Sequence, residues 1–532
     1  MRQGAGYVRD GSRIPRHVTP GGTASMVYQR LVLILGALTT AIVLVVGCAQ
    51  PFQFPAKPLA ARETPAGLVR SYDTNSDRKA DYFTYQDATG RIVRIGYDTQ
   101  GRGEATEFVD LDGVPFAGCR HVILVLDGIG CETVEAARQE GRLRLFYPPS
   151  PVISTFPAMT DLALADAFRS PPCVSYEVTY YDREKKSIVG GDADYLSLKN
   201  EAWTKHLAYR AGIVMDPISY LYPDWAFEKE LGDFRKAFDR HDGPDVAAYL
   251  VSTAGLGTRQ GLEGQRKALE AVDRLSEELV QKTRGKVKVT MFSDHGHTLV
   301  RCERIDFRKY FQEHGWRPVD RLEKPRDVAV IEYGIITYAA FATDDRPGLA
   351  TLLLEHPGVD LVTYPEGDRV GVEKKGEKAY VERRGTQYRY VAAAGDPLEL
   401  APVIEKMKAE KAIDADGFAE DRVWFERTLT HKYPDAPDRL WRAFNGLVEH
   451  APDVVASLKE AYCAGATSRL MWLPYVASTH GDLARKSSTA FLMSTIGPVL
   501  PPGGGVRHRD LPALLEKLTG RPWPPQGEGK GK

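Results

Sequence analysis

The stretch Val287 to Thr298, VKVTMFSDHGHT, constrains this chain more than any other. Val287, Val289, Thr290 and Phe292 favour β structure, so its first half reads as a short buried strand. The strand stops abruptly at Ser293-Asp294-His295-Gly296-His297. A carboxylate, two imidazoles and a permissive glycine at a strand's C-terminal end make a metal-ligand cluster, placed where open α/β sheets carry their chemistry. The competing reading is a polar loop whose histidines only hydrogen-bond. The metal reading is preferred because imidazole is the commonest metal ligand.

Other segments supply partners for it. His121 to Leu126 is a continuous apolar run ending in Asp127-Gly128. A strand apolar on both faces belongs in a parallel sheet covered by helices. Asp127 at its end is costly to bury unpaired and is expected to meet a cation; the alternative is a cap for the helix expected over Cys131–Gly141. Pro151–Thr155 leads into Phe156-Pro157-Ala158-Met159-Thr160 and a helical run over Asp161–Phe168. Thr160 thus falls at a helix N-terminus, where free N–H groups and the dipole favour an anion or a developing alkoxide, or where it acts as a plain N-cap. Val246–Val251 and the stripe Ala268, Leu269, Val272, Leu275 and Leu279 add another β-α-β unit, with Gly285 expected to end the helix. This order of elements predicts a doubly wound sheet.

The chain has 532 residues, enough for one large domain with additions. Its 70 Lys and Arg balance 71 Asp and Glu, so there is no nucleic-acid-binding signature. Leu31–Gly47 is an apolar run preceded by several arginines and closed by Val45-Val46-Gly47-Cys48. It is short for a spanning helix and long enough for a signal-peptide core. The ending resembles a bacterial lipobox, which makes Cys48 the lipidation site and Met26 a possible true start. The expectation is an exported lipoprotein of the cell envelope, held to the membrane by its N-terminal lipid anchor. In a Gram-negative cell that means the outer membrane or periplasmic face.

Residues 1–47 are then a signal peptide, 48–67 a lipidated tether and 68–117 a small β-hairpin module. Asp73, Asn75, Asp77 and Asp81 have the spacing of a calcium loop's first ligands. Arg78 at the glycine position and Thr84 at the glutamate position favour Asx-turns instead. The main domain covers 118–520, with an insertion over about 305–475. There Val328–Tyr338 reads as a strand, 370–391 as a hairpin or meander, and 400–460 as helical pieces. The tail, 521–532, reads as disordered. Six widely spaced cysteines exclude a disulfide scaffold and leave one or two bridges possible without assigning them.

Taken in order, VILVLDGIG, FPAMT, SDHGH and STHG resemble the motifs of the alkaline phosphatase superfamily, in its type I phosphodiesterase and nucleotide pyrophosphatase branch. The resemblance covers about residues 118–300 and 475–520. It implies an alkaline-phosphatase-like α/β fold: a mostly parallel sheet with helices on both faces, an inserted cap subdomain and a small N-terminal β module. It also implies a divalent metal, zinc being the expected ion, with one or two ions bound. Thr160 is the implied nucleophile; Asp127, Asp294, His295 and His480 are implied ligands, with His297 a weaker one. The substrate would be a small-molecule phosphate mono- or diester.

The chain departs from the family at STAGLGTRQG, where Ala254 and Thr258 stand in place of an aspartate and a histidine of the second metal site. Val178 stands where a phosphate-binding asparagine is expected. His297, Asp161 or Asp166 are candidate replacement ligands. A rival reading follows, in which a catalytically degenerate family member binds a ligand or partner at the envelope.

Overall fold

The computed structural model describes residues 54–470 and 475–525. The expected signal peptide, Cys48, the start of the tether and the end of the tail lie outside them. Among the described residues no helix is long and apolar enough to cross a membrane.

The central sheet has seven strands in the order Tyr209–Arg210, Asp245–Leu250, Arg120–Leu126, Val287–Phe292, Thr489–Ser494, Ser150–Ile153 and Val506–Arg507. The first four run parallel, and Thr489–Ser494 is antiparallel to both its neighbours. Alternation along Arg120–Leu126 explains why helices cover both faces. Val122, Leu124 and Leu126 share a core with Val134, with Leu231 and Phe234 of helix Pro223–Arg240, and with the stripe Ala268, Leu269 and Val272. Ile123 and Val125 face Leu164, Phe168, Leu511 and Leu515 on the other side. The mostly parallel α/β sheet expected from the sequence is the one found.

Register then gathers the chemistry. Phe292 pairs with Val125 and Leu250 with Leu126, so three parallel strands end almost level and deliver Asp127 and Asp294 to one edge. The helix Leu262–Lys282 between two of them ends as expected, but with a different residue in the cap. Arg284 takes the left-handed position at φ 53°, and Gly285, at φ 77°, donates its N–H back to the Val280 carbonyl at 2.9 Å. A Cβ at Gly285 would lie 3.1 Å from Val109, so the glycine also permits the N-terminal module to approach.

Three boundaries differ from expectation. The segment expected to end the tether is structured: Ala60–Thr64 and Gly67–Tyr72 form a hairpin. They extend the N-terminal module to a five-stranded antiparallel sheet rather than a single hairpin. Pro65 turns the chain there, and Phe54, Tyr72, Tyr82 and Tyr97 supply the aromatic core that the Pro- and Ala-rich composition hides. The Asp73–Asp81 loop makes Asx-turns, its carboxylates accepting from the backbone of Asp77, Arg78, Lys79 and Thr74.

Within the insertion, Val328–Tyr338 is not one strand. Asp327–Ile331 and Tyr338–Thr343 are separate, because residues between them turn to other partners. The Gly334 N–H donates to Glu177 at 2.7 Å and the Thr337 N–H to the His480 carbonyl at 2.7 Å. Around this pair the insertion builds its own nine-stranded sheet, including a meander over Val359–Ala394 that takes in the expected 370–391.

The start of the expected tail is structured as well. Trp523 is buried beside Phe168 and donates its indole N–H to the Ala167 carbonyl at 2.6 Å, while Arg521 pairs with Asp245. One tryptophan outweighs the Pro- and Gly-rich surroundings.

Candidate metal centre

Three histidines converge at the level strand ends. His295 Nδ1 bonds the Gly296 carbonyl at 2.9 Å, and His480 Nδ1 bonds the Ala158 carbonyl at 2.8 Å. His297 Nδ1 bonds the Ser478 hydroxyl at 3.1 Å. Each ring is thereby oriented by one nitrogen and keeps Nε2 for something else, the usual arrangement of metal-binding imidazoles. The rings of His295 and His480 stack with centroids 3.6 Å apart.

Asp127 and Asp294 complete the cluster. Tyr249 donates its hydroxyl to one oxygen of Asp127, and the Gly128 N–H donates to one oxygen of Asp294 at 2.9 Å. The remaining oxygen of each carboxylate, and Nε2 of His297, are buried with no hydrogen-bond partner among the described residues. Three orphaned polar atoms in one place cost several kcal/mol in aggregate unless a cation satisfies them. Among the described residues, two sets present atoms within 4.8 Å of one another: Asp127, Asp294 and His295, and His295, His297 and His480. His295 belongs to both.

Electrostatics agree with this reading. Burial, and then the charge of Asp294, pushes the Asp127 carboxyl well above the usual range; burial also raises Asp294. Burial pushes His295 and His480 down to about 3 and lowers His297 as well. The imidazoles are therefore neutral, the form that ligates metal, and a bound cation would return the two carboxyls to their ionised form.

Gly128 allows the cluster to close. Its φ is 71°, and a Cβ there would lie 2.5 Å from His297 Nε2. Both the backbone conformation and the space exclude a side chain.

Thr160 is the first residue of the helix Thr160–Ala167. Its Oγ1 lies 3.3 Å from His295 Nε2, and the hydroxyl also faces the Asp294 carboxylate. Asp294, His295 and His297 are fully enclosed, whereas Thr160 and His480 are half-buried, so solvent reaches the centre on their side.

The structure thus brings together Asp127, Thr160, Asp294, His295, His297 and His480. Asp161 and Asp166 stand outside both candidate ligand sets and have other partners. Asp161 accepts the Trp203 indole N–H at 3.0 Å, and Asp166 forms a two-pronged pair with Arg442. Ala254 and Thr258 lie on a buried helix, Ser252–Gln260, that packs on His297 through Gly257; a Cβ at Gly257 would be 3.3 Å from that ring. Val178 is buried just before the strand Thr179–Asp182, and Asp182 is paired with Lys185. Sequence reasoning missed the parts played by Tyr249 and Ser478. A tyrosine inside an otherwise apolar strand beside Asp127, and a serine two residues before His480, are the patterns that could have found them.

No protein-family model and no curated protein matches the chain. Among solved structures it is similar to phosphonoacetate hydrolase from Sinorhizobium meliloti 1021, solved in complex with phosphonoformate. That similarity has 14% identity and a TM-score of 0.42, over 76% of this chain and 96% of that one. It is also similar to murine and human ectonucleotide pyrophosphatase/phosphodiesterase 5, at 12% and 13% identity. Both have a TM-score of 0.41, over 77% of this chain and 97% of theirs. At such levels the chemistry has to be argued from the residues of the centre itself.

Proposed function

We propose that this chain is a metal-dependent hydrolase of phosphate mono- or diesters of the alkaline phosphatase superfamily, with Thr160 as its nucleophile. The observation that carries the reading is the contact of Thr160 Oγ1 with a cluster whose buried polar atoms lack partners among the described residues. The residues fit a divalent ion: Asp127, Asp294 and His295 would hold one, and His295, His297 and His480 offer a second set of nitrogens. Zinc suits this mixture of imidazole and carboxylate. Such an ion supplies Lewis-acid polarisation of a phosphoryl oxygen and lowers the pKa of a nearby hydroxyl.

The chain's own residues do the rest. The Thr160 oxygen attacks phosphorus as its hydroxyl proton passes to solvent on the open side of the centre; the ester P–O bond breaks, the alcohol leaves with a proton from solvent, and a phosphothreonine forms. Water then cleaves that phosphothreonine, releasing the phosphate and restoring the Thr160 hydroxyl. N–H groups of the first helical turn behind Thr160 favour the phosphoryl oxygens. The Val-Val-Gly-Cys ending at Cys48 supports an exported, lipid-anchored form of this enzyme.

Ala254 and Thr258 favour a second reading, a degenerate member that binds a phosphoester or partner without turnover. Metal analysis of the chain with a nitrophenyl phosphate mono- and diester panel separates the two. The hydrolase reading expects at least one equivalent of zinc, lost in Asp294→Ala, and metal-dependent turnover. Bound metal without turnover supports the binder, and no metal uptake on zinc addition overturns both.

A further inference from the structure

Five residues beyond His297 the chain reaches Cys302, and Cys463 stands where the inserted subdomain returns to the core. Here the outgoing and incoming chains form a short parallel pair, Glu303–Arg304 against Tyr462–Cys463. The Glu303 N–H donates to the Ala461 carbonyl and the Ile305 N–H to that of Cys463, both at 2.8 Å. The two cysteines pack in one small apolar cluster with Ile335 and Val476, and each thiol shifts the acidity of the other. Cys463 is buried and Cys302 half-buried. The other cysteines among the described residues are set differently. Cys119 and Cys173 donate to backbone carbonyls and Cys131 to Glu135.

We propose that Cys302 and Cys463 are a redox pair whose disulfide clasps the neck of the inserted subdomain, closing a loop of roughly 160 residues. The oxidant is a disulfide of the thiol-exchange class, a protein oxidoreductase or oxidised glutathione. The Cys302 thiolate attacks one sulfur of that disulfide, forming a mixed disulfide and expelling one thiolate. The Cys463 thiolate then attacks Cys302 Sγ; the internal S–S bond forms, the mixed one breaks, and the second thiolate leaves. Two electrons end on the oxidant's sulfurs, which take up the two protons.

Access and acidity set the order of these steps. Cys302 is the reachable thiol, and the neighbouring Cys463 thiol holds it below the usual thiol range, while Cys463 is raised by Cys302 and by burial. The clasp also bears on the metal centre. Next to Cys463, Ala464 bridges Ile336, and Thr337 holds the His480 carbonyl; on the other side, Thr298 and Leu299 bond Thr479 and Ser478. Locking the neck therefore locks the backbone that carries His297 and His480. The inference does not rest on the hydrolase reading.

The full chain is incubated with oxidised glutathione or with dithiothreitol, blocked with iodoacetamide and mapped by peptide mass. Oxidation is expected to remove two alkylation sites and to yield one linked peptide pair containing Cys302 and Cys463. The oxidised form should melt about 4–10 °C above the reduced form, and Cys302→Ser should abolish that difference. Complete alkylation of both cysteines after oxidation, or linkage of either to a different cysteine, overturns the proposal. Peptide mapping decides the matter on the unaltered chain even if Cys302→Ser does not fold.

Discussion

Among the described residues Thr160 makes its side-chain contacts inside the candidate metal centre, to His295 and Asp294. Thr160→Ala is therefore expected to leave the unfolding free energy within about 1 kcal/mol of wild type. On the proposed mechanism, turnover of a nitrophenyl phosphodiester should fall about 1000-fold or more, because the variant lacks the oxygen proposed as nucleophile. Equal rates in variant and wild type would remove Thr160 from the mechanism. Gly128 behaves oppositely, because there an added methyl is the problem. Its Cβ would stand 2.5 Å from His297 Nε2, and φ of 71° is strained for alanine. Gly128→Ala should cost about 1–3 kcal/mol in denaturant unfolding and weaken zinc binding at least about tenfold, read by competition with a chromogenic chelator. Unchanged affinity would show that His297 Nε2 takes no part in the site.

Between elements, Glu230 joins helix Pro223–Arg240 to the N-terminus of helix Ser252–Gln260. Its carboxyl accepts the N–H groups of Val251 and Ser252 at 3.2 and 3.0 Å, together with the Ser252 hydroxyl. Burial pushes the Glu230 carboxyl up to about 7, against an ordinary 4.5. An acid whose pKa is raised on folding keeps its proton in the native state while the unfolded chain has lost it. Stability from this group is thus full below about pH 4.5, falls as pH rises and levels off above about 7. The span corresponds to about 3 kcal/mol. Glu230→Gln cannot titrate, so its unfolding free energy should gain on wild type between about pH 5 and pH 8. Parallel curves for the two proteins would place the Glu230 pKa near its ordinary value.

At the scale of the whole molecule, the insertion is tied to the core sheet through Arg507 of the edge strand Val506–Arg507. Its guanidinium bonds Asp435 at 2.6 and 2.7 Å, and also Asp421, each from the start of an insertion helix. Asp435 is fully buried, so Arg507→Met leaves a carboxylate without its counter-ion. A loss of about 3–5 kcal/mol is expected in chemical denaturation, with part recovered when Asp435→Asn is added. An additive double variant would show that the pair does not couple the two subdomains.

How much of this was legible beforehand follows from the range of the interactions involved. Apolar runs, the DG and DHGH endings, the FPAMT turn into a helix and the stripe from Ala268 to Leu279 are local patterns. Backbone periodicity and turn chemistry express them within a dozen or so residues, so the strands, helices and most ligand candidates could be read directly. What lay beyond reach depends on residues far apart in the chain. Strand register decides that Asp127 meets Asp294. Ser478 and the Ala158 carbonyl decide which imidazole nitrogens stay available, and Arg442 and Trp203 are the partners of Asp166 and Asp161. The sequence alone thus determined the kind of sheet and the chemistry at its strand ends. Only the tertiary structure decided that His297 stands with His480, and that Cys302 meets Cys463, because packing between distant segments carries no local periodicity.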